Sequence, residues 1–191
     1  LDTLPRACKN SGARTMARGN VSNTGLMMAR LCYDLLMEKG RDALAAVERH
    51  EVTPALEDVV EATIYLSGLG FENGGLAAAH AVNDGFAQEP QAHGMYHGEK
   101  VAFGTLVQLV LEKAPQEELE QVLAFLRDTG LPLTLAQLGV KEIVPETLKK
   151  VAEAAVVPTQ STKNLRADIT AQEVYDAILE ADRIGRDYLA R

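Results

Sequence analysis

Gly74-Gly75-Leu76-Ala77-Ala78-Ala79-His80-Ala81-Val82-Asn83-Asp84-Gly85 is the stretch on which the fold turns. It predicts a helix from Gly74 to about Ala87, with Pro90 after its end. Small residues cover almost every face of that helix, so other elements must approach it closely, which suits the middle of a bundle. A polar His80 in such a setting needs a partner or a metal, because an unsatisfied buried imidazole is costly.

Working outward, strand signals are nearly absent. The chain breaks into segments with apolar residues at i, i+3, i+4 and i+7, bounded by Gly and Pro. Ser22 is placed to cap a helix running to about Lys39, with Gly40 as its stop. A shorter helix follows from about Arg41 to Arg49. Thr53 and Pro54 open another as N-cap and first residue, continuing to about Ser67. On the far side of the quoted stretch, His97 or Gly98 starts a helix to Lys113. Pro115 begins one that ends at Gly130, and a short helical turn occupies Thr134 to Leu138. Helices over Pro145 to Val156 and from Thr170 onward complete the set, the last with Val174, Ile178, Ala181 and Ile184 in one stripe. The polar run from Pro158 to Asp168 reads as an exposed loop. The expected core is Leu56, Val59, Val60, Ile64, Leu106, Val107, Val110, Leu123 and Leu126. The fold class is therefore all-α, a helical bundle.

Of the 191 residues, 47% are apolar and 24% charged, a globular composition with room for a proper core. The net charge of -8 and the lack of Lys/Arg clusters with interleaved aromatics exclude a nucleic-acid surface. Apolar runs such as Val101 to Leu111 are broken and too short to span a bilayer, so no membrane partner is expected. With no secretory signal at the start, Cys8 and Cys32 read as reduced thiols of a cytoplasmic protein. Gly68-Leu69-Gly70-Phe71-Glu72-Asn73-Gly74 approaches the dinucleotide fingerprint, but Asn73 holds its sixth position and a helix precedes it where a strand is required. It reads as a tight connection between helices.

Chemistry concentrates on two histidines. His80 lies in the quoted stretch, and His97 lies in His93-Gly94-Met95-Tyr96-His97-Gly98-Glu99-Lys100-Val101-Ala102-Phe103-Gly104. Separated by a turn around Pro90, the two imidazoles can converge on one cation. Zinc wants at least three protein ligands, so the pair alone is a weak signature. His93, four residues before His97, is a reserve candidate. Asp84 and Asn83 fall on roughly the face of His80 and could accept hydrogen bonds from it. His50 at a helix end is expected to face solvent. Glu117, Glu118 and Glu120 suit a solvated helix start.

Several of these motifs carry a family resemblance. Thr53-Pro54-Ala55-Leu56-Glu57, Tyr65-Leu66-Ser67-Gly68, Gly70 through His80 and His97 through Gly104 resemble the glycerol dehydrogenases of the metal-dependent, iron-containing alcohol dehydrogenase family. The resemblance runs from about Arg6 to the C-terminus. It implies the fold of the C-terminal helical domain of dehydroquinate synthase-like and iron-containing alcohol dehydrogenases. Residues 1–191 would then form one helical metal and substrate domain, without the N-terminal α/β domain that binds NAD. The resemblance implies His80 and His97 as imidazole ligands of a zinc ion, or of Fe2+ or another divalent metal. The family's Asp ligand precedes an Arg-Ala-Cys run that matches Arg6-Ala7-Cys8. Asp2 looks similar but stands closer to Arg6 than in the family, so either Asp2 is the third ligand or the true Asp lies upstream. No NAD site and no catalytic residue beyond the metal ligands is implied for this chain. The implied activity is NAD-dependent oxidation of glycerol or a small diol to dihydroxyacetone or its equivalent, with the isolated chain inactive and homo-oligomeric. A non-catalytic, self-associating helical module derived by truncation is the alternative, and a plain metal-binding protein using His80, His97 and Asp84 or His93 is a third possibility.

Overall fold

A computed structural model describes residues 13–191, and these form two compact units that meet in sequence at Leu76 and Ala77. Among the described residues the regular elements are all helical, apart from an isolated antiparallel bridge between Arg14 and Asn20. No helix among them is long and apolar enough to cross a membrane.

The first unit is built on α1 (Asn23–Glu48), a single helix of 26 residues. Ser22 caps it, its hydroxyl accepting from the Gly25 N–H at 2.9 Å. The expected break at Gly40 does not occur. Ala29, Cys32, Ala43 and Ala46 are buried along one stripe that passes through Gly40 in step. Packing on both sides therefore outweighs the roughly 1 kcal/mol that a helical glycine costs. Thr53 caps α2 (Pro54–Glu61), which runs through a π-turn (Ala62–Leu66) straight into α3 (Ser67–Gly74). The glycine-rich run that reads as a connection is thus itself helical. It packs closely on α1: a Cβ on Gly25 of α1 would lie 2.6 Å from the backbone carbonyl of Asn73, and one on Gly70 would lie 3.4 Å from the Ala29 nitrogen.

Two expected core residues are corrected here. Val60 is 46% exposed and Ile64 64% exposed, and Leu56 and Val59 are only half-buried. The buried residues are instead Ala62 and Leu66, packed with Cys32 and flanked by Met28, Leu35 and Leu36. Two apolar stripes compete on this helix. The one with small residues wins because α1 also presents small residues, and two smooth faces come closer. Val52, Leu56, Val60, Ile64 and Tyr65 are left lining a shallow apolar groove of about 470 Å³.

In the second unit, α4 (Ala78–Gly85), α5 (His97–Glu112), α7 (Pro145–Ala155) and α9 (Ala171–Leu189) form a ring in which α4 touches α5 and α7, and α9 touches the same two from the other side. α6 (Gln116–Asp128) packs against α5 from outside this ring. The core joins Val82, Phe86, Phe103, Leu106, Val107, Leu148, Val151 and Ile178, all buried, to Leu123 and Leu126 of α6. The α9 stripe of Val174, Ile178 and Ala181 is buried as its period requires, with Ile184 half-buried. Val110 is only half-buried. The 158–168 segment is not wholly an exposed loop, since it contains the single turn α8 (Thr162–Leu165). Thr162 is buried with its hydroxyl donating to the Ala155 carbonyl, and the Ser161 hydroxyl donates to the Ala77 carbonyl at 2.6 Å.

Candidate metal centre

Both histidines belong to the second unit. His80 is the third residue of α4, half-buried behind the fully buried Ala78 and Ala79. His97 is the first residue of α5 and exposed. The Glu99 carboxylate anchors that helix start by accepting from the Tyr96 N–H at 2.7 Å, satisfying a donor that the helix leaves unpaired.

The connection between the helices is held by residues that the sequence pattern does not single out. Glu89 is buried, and its Oε1 accepts from both the Gln91 backbone N–H, at 3.1 Å, and the Gln91 side-chain amide, at 3.3 Å. Gln91 in turn donates to the Glu142 carbonyl and accepts from the Lys141 and Glu142 N–H groups. Two short 3₁₀ turns, Phe86–Gln88 and Pro90–Ala92, complete the path. A Glu beside a Pro in a polar stretch reads as surface, and its burial shows only beside Gln91, which is itself tied to Lys141 and Glu142.

This scaffold brings His80 and His97 together, with ring centres 5.3 Å apart and planes tilted by 51°. Two imidazoles sharing a tetrahedral zinc at about 2.0–2.1 Å from each nitrogen would have ring centres roughly 5 Å apart. The spacing and the donor chemistry therefore fit a shared cation.

The other candidates are placed elsewhere. His93 turns its Nε2–H onto the Ala87 carbonyl at 3.0 Å. Asp84 is exposed, and its carboxylate accepts from the side-chain amides of Asn83 and Gln160, each at 3.1 Å. It ties down the α8 segment. His50 is exposed at the end of α1 with a positive φ of 54°. Among the described residues no group of three His, Cys, Asp or Glu side chains is poised around one point. Asp2 and Cys8 lie outside the described residues. Cys32 is a free, buried thiol whose Sγ contacts the Ala62 carbonyl, and burial pushes that thiol above its ordinary range.

A ring of helices that closes around small-residue contacts and brings together two imidazoles is the arrangement expected of the helical half of an iron-containing alcohol dehydrogenase. No family model matches the chain. Curated relatives do: it is 55% identical over 184 residues to a glycerol dehydrogenase of Escherichia coli, covering 96% of this chain and 50% of that protein. It is 49% identical over 184 residues to a glycerol dehydrogenase of Pseudomonas putida, again covering 96% and 50%. The crystal structure of a probable glycerol dehydrogenase from Sinorhizobium meliloti superposes with a TM-score of 0.92 at 41% identity, covering 98% of this chain and 53% of that one. Over nearly its whole length the chain is thus similar to one half of a glycerol dehydrogenase. It spans about half the length of the curated relatives it matches.

Proposed function

We propose that the chain is the metal- and substrate-binding half of an NAD-dependent glycerol dehydrogenase, in which His80 and His97 are two ligands of a catalytic divalent cation. Zinc is the cation of choice, with Fe2+ the alternative, and Asp2 is the candidate third ligand. The observation that carries the reading is the 5.3 Å approach of two imidazoles from separate helices, in a chain whose curated relatives are glycerol dehydrogenases.

When bound, such a cation supplies Lewis acidity that lowers the pKa of a coordinated alcohol and polarises the product carbonyl. The residues of this chain do the positioning. His80 presents its ring from a helix held on both sides by small-residue contacts, and the capped start of α5 presents His97. The exposure of His97 leaves the pair open to a small diol, glycerol above all. The hydride acceptor, NAD, is held outside these residues, since the chain has no strand-borne glycine fingerprint. The chain alone is accordingly inactive as a dehydrogenase, its setting is the cytoplasm, and its assembly is a homo-oligomer.

Metal analysis of the purified chain tests this. Stoichiometric zinc, lost in both His80→Ala and His97→Ala, is the expected result, and unchanged metal content in either variant rejects it. The alternative, a self-associating module without catalysis, draws on the apolar residues exposed along α2 and the π-turn. Sedimentation read beside the metal analysis distinguishes it: self-association without stoichiometric zinc is its signature, and a monomer at all concentrations rules it out along with the homo-oligomer.

A further inference from the structure

The N-terminus of α4 has no cap of its own. Its N-cap residue is Ala77, which has no side-chain acceptor to offer, so the first N–H groups must be satisfied from elsewhere. Ala79 is fully buried, away from bulk water. Its N–H donates instead to Oε1 of Gln108 on α5, at 3.0 Å, across 29 residues of sequence. Gln108 is itself 1% exposed.

A glutamine amide could face either way, but here its orientation is set. Its Nε2 donates to Oε1 of Glu112 at 2.9 Å, and a carboxylate can only accept, so the amide oxygen is left for Ala79. The carbonyl of Ala79 lies against the same helix. A Cβ on Gly104 would lie 2.4 Å from the Ala79 oxygen, so α5 runs against Ala79 at backbone distance. Residues 97, 104, 108 and 112 recur at helical spacing on one face of α5. His80 is the next residue after Ala79, and His97 is the first of α5.

We propose that Gln108 is a positioning residue for the metal-binding pair, fixing through Ala79 where the His80 ring stands relative to the His97 ring. This rests on the reading of His80 and His97 as ligands. Gln108 touches neither cation nor substrate. It sets the register of α4 on α5, and the separation of the two rings follows from that register. Loss of a group that holds a ligand in place commonly costs 10–100-fold in metal affinity.

The test is a Co2+ titration of the full chain followed by visible absorption, with a thermal melt of the metal-free protein alongside. Wild type is expected to bind, and His80→Ala and His97→Ala to abolish the cobalt bands. Gln108→Met, of similar length but without a hydrogen-bonding amide, is expected to weaken binding roughly 10–100-fold and change the band intensities. Gln108→Glu sets two carboxylates against each other and should do the same. The swap Gln108→Glu/Glu112→Gln restores an acceptor facing Ala79 and a donor behind it, and should recover most of the affinity. Should Gln108→Met fail to fold, Gln108→Glu against the swap decides. Wild-type affinity and spectrum in a folded Gln108→Met or Gln108→Glu overturn the proposal. So does a swap that restores the melting temperature without the affinity. Failure of wild type to bind Co2+, or retention of binding without His80 or His97, sinks the ligand reading and this proposal with it.

Discussion

The rings of Phe86 and Phe103 meet edge to face, 6.1 Å between centres at an interplanar angle of 67°, with both side chains fully buried. Phe86 follows directly on α4 and Phe103 lies on α5, so the pair fastens the far end of the contact that Ala79, Gly104 and Gln108 make at the near end. Edge-to-face pairs contribute about 0.5–1.5 kcal/mol beyond the area they bury. Truncation by Phe103→Ala also leaves a cavity, for a total cost of about 3–5 kcal/mol. Urea unfolding of Phe103→Ala and Phe103→Leu measures it, the leucine being expected to recover more than half. A loss under about 1 kcal/mol for the alanine would mean that α4 and α5 are held apart from this pair.

Gly104→Ala places a methyl group where the Ala79 carbonyl oxygen stands, 2.4 Å from the new carbon. Backbone must move, at a cost of about 1–3 kcal/mol. Gly98 makes the matched control, being in the same helix with open space for 4 Å around the point where a methyl group would stand. Gly98→Ala should be neutral or stabilise by about 0.4–1 kcal/mol through the unfolded chain. Thermal melts should therefore show a clear fall for Gly104→Ala and none for Gly98→Ala, and an equal fall in both would contradict the close approach of α4 and α5.

Much of the second unit was legible because its residues answer to local rules. Thr170, Pro145, Pro115 and the α9 stripe mark their helices by capping chemistry and period, which act within a few residues of sequence. The helical fold class follows from the same signals, whereas the pairing of His80 with His97 was no more than possible from the spacing and was implied by the family resemblance. What escaped was decided at long range. Gln108 and Asp182 look like surface residues until their partners, 29 and 47 residues away, are known, and Glu89 is buried beside Gln91, whose own partners lie 50 and 51 residues on. Val60 and Ile64 escaped for a different reason, since periodicity identifies an apolar face but not which of two apolar faces meets the neighbouring helix. At the site itself, two imidazoles are visible in both sequence and structure. Asp2, the proposed third ligand, lies outside the described residues.

Asp182 shows what such a long-range residue contributes. It is 3% exposed, with Oδ1 accepting from the Leu135 N–H and Oδ2 from the Arg186 guanidinium. The first of these bonds holds the 134–138 turn against α9, and Leu135 is buried with it. Asp182→Ala strands a buried N–H as well as removing a charge-assisted bond, an effect of about 2–3 kcal/mol. Asp182→Asn keeps an oxygen for Leu135 and should lose distinctly less. Denaturant midpoints of the two variants give the comparison, and equal losses would assign the effect to Arg186 instead.

The start of α9 carries the clearest acid sensitivity. Glu173 accepts from the Thr170 N–H and hydroxyl and from Arg166, while the Thr170 hydroxyl accepts from the Glu173 N–H. The Thr170 backbone N–H first, then Arg166 and the Thr170 hydroxyl, lower the Glu173 carboxyl from 4.5 to about 2. A depressed folded-state pKa means the ionised form is favoured by folding. Its contribution is therefore fully present above the unfolded value near 4.5 and is lost as pH falls through about 2. Thr170→Ala removes the cap, at about 1 kcal/mol at neutral pH. Glu173→Gln should lower stability at pH 6 while flattening its fall between pH 4.5 and 2. Denaturation of wild type and Glu173→Gln across that range checks the sign, and parallel curves would show that the carboxylate gains nothing on folding.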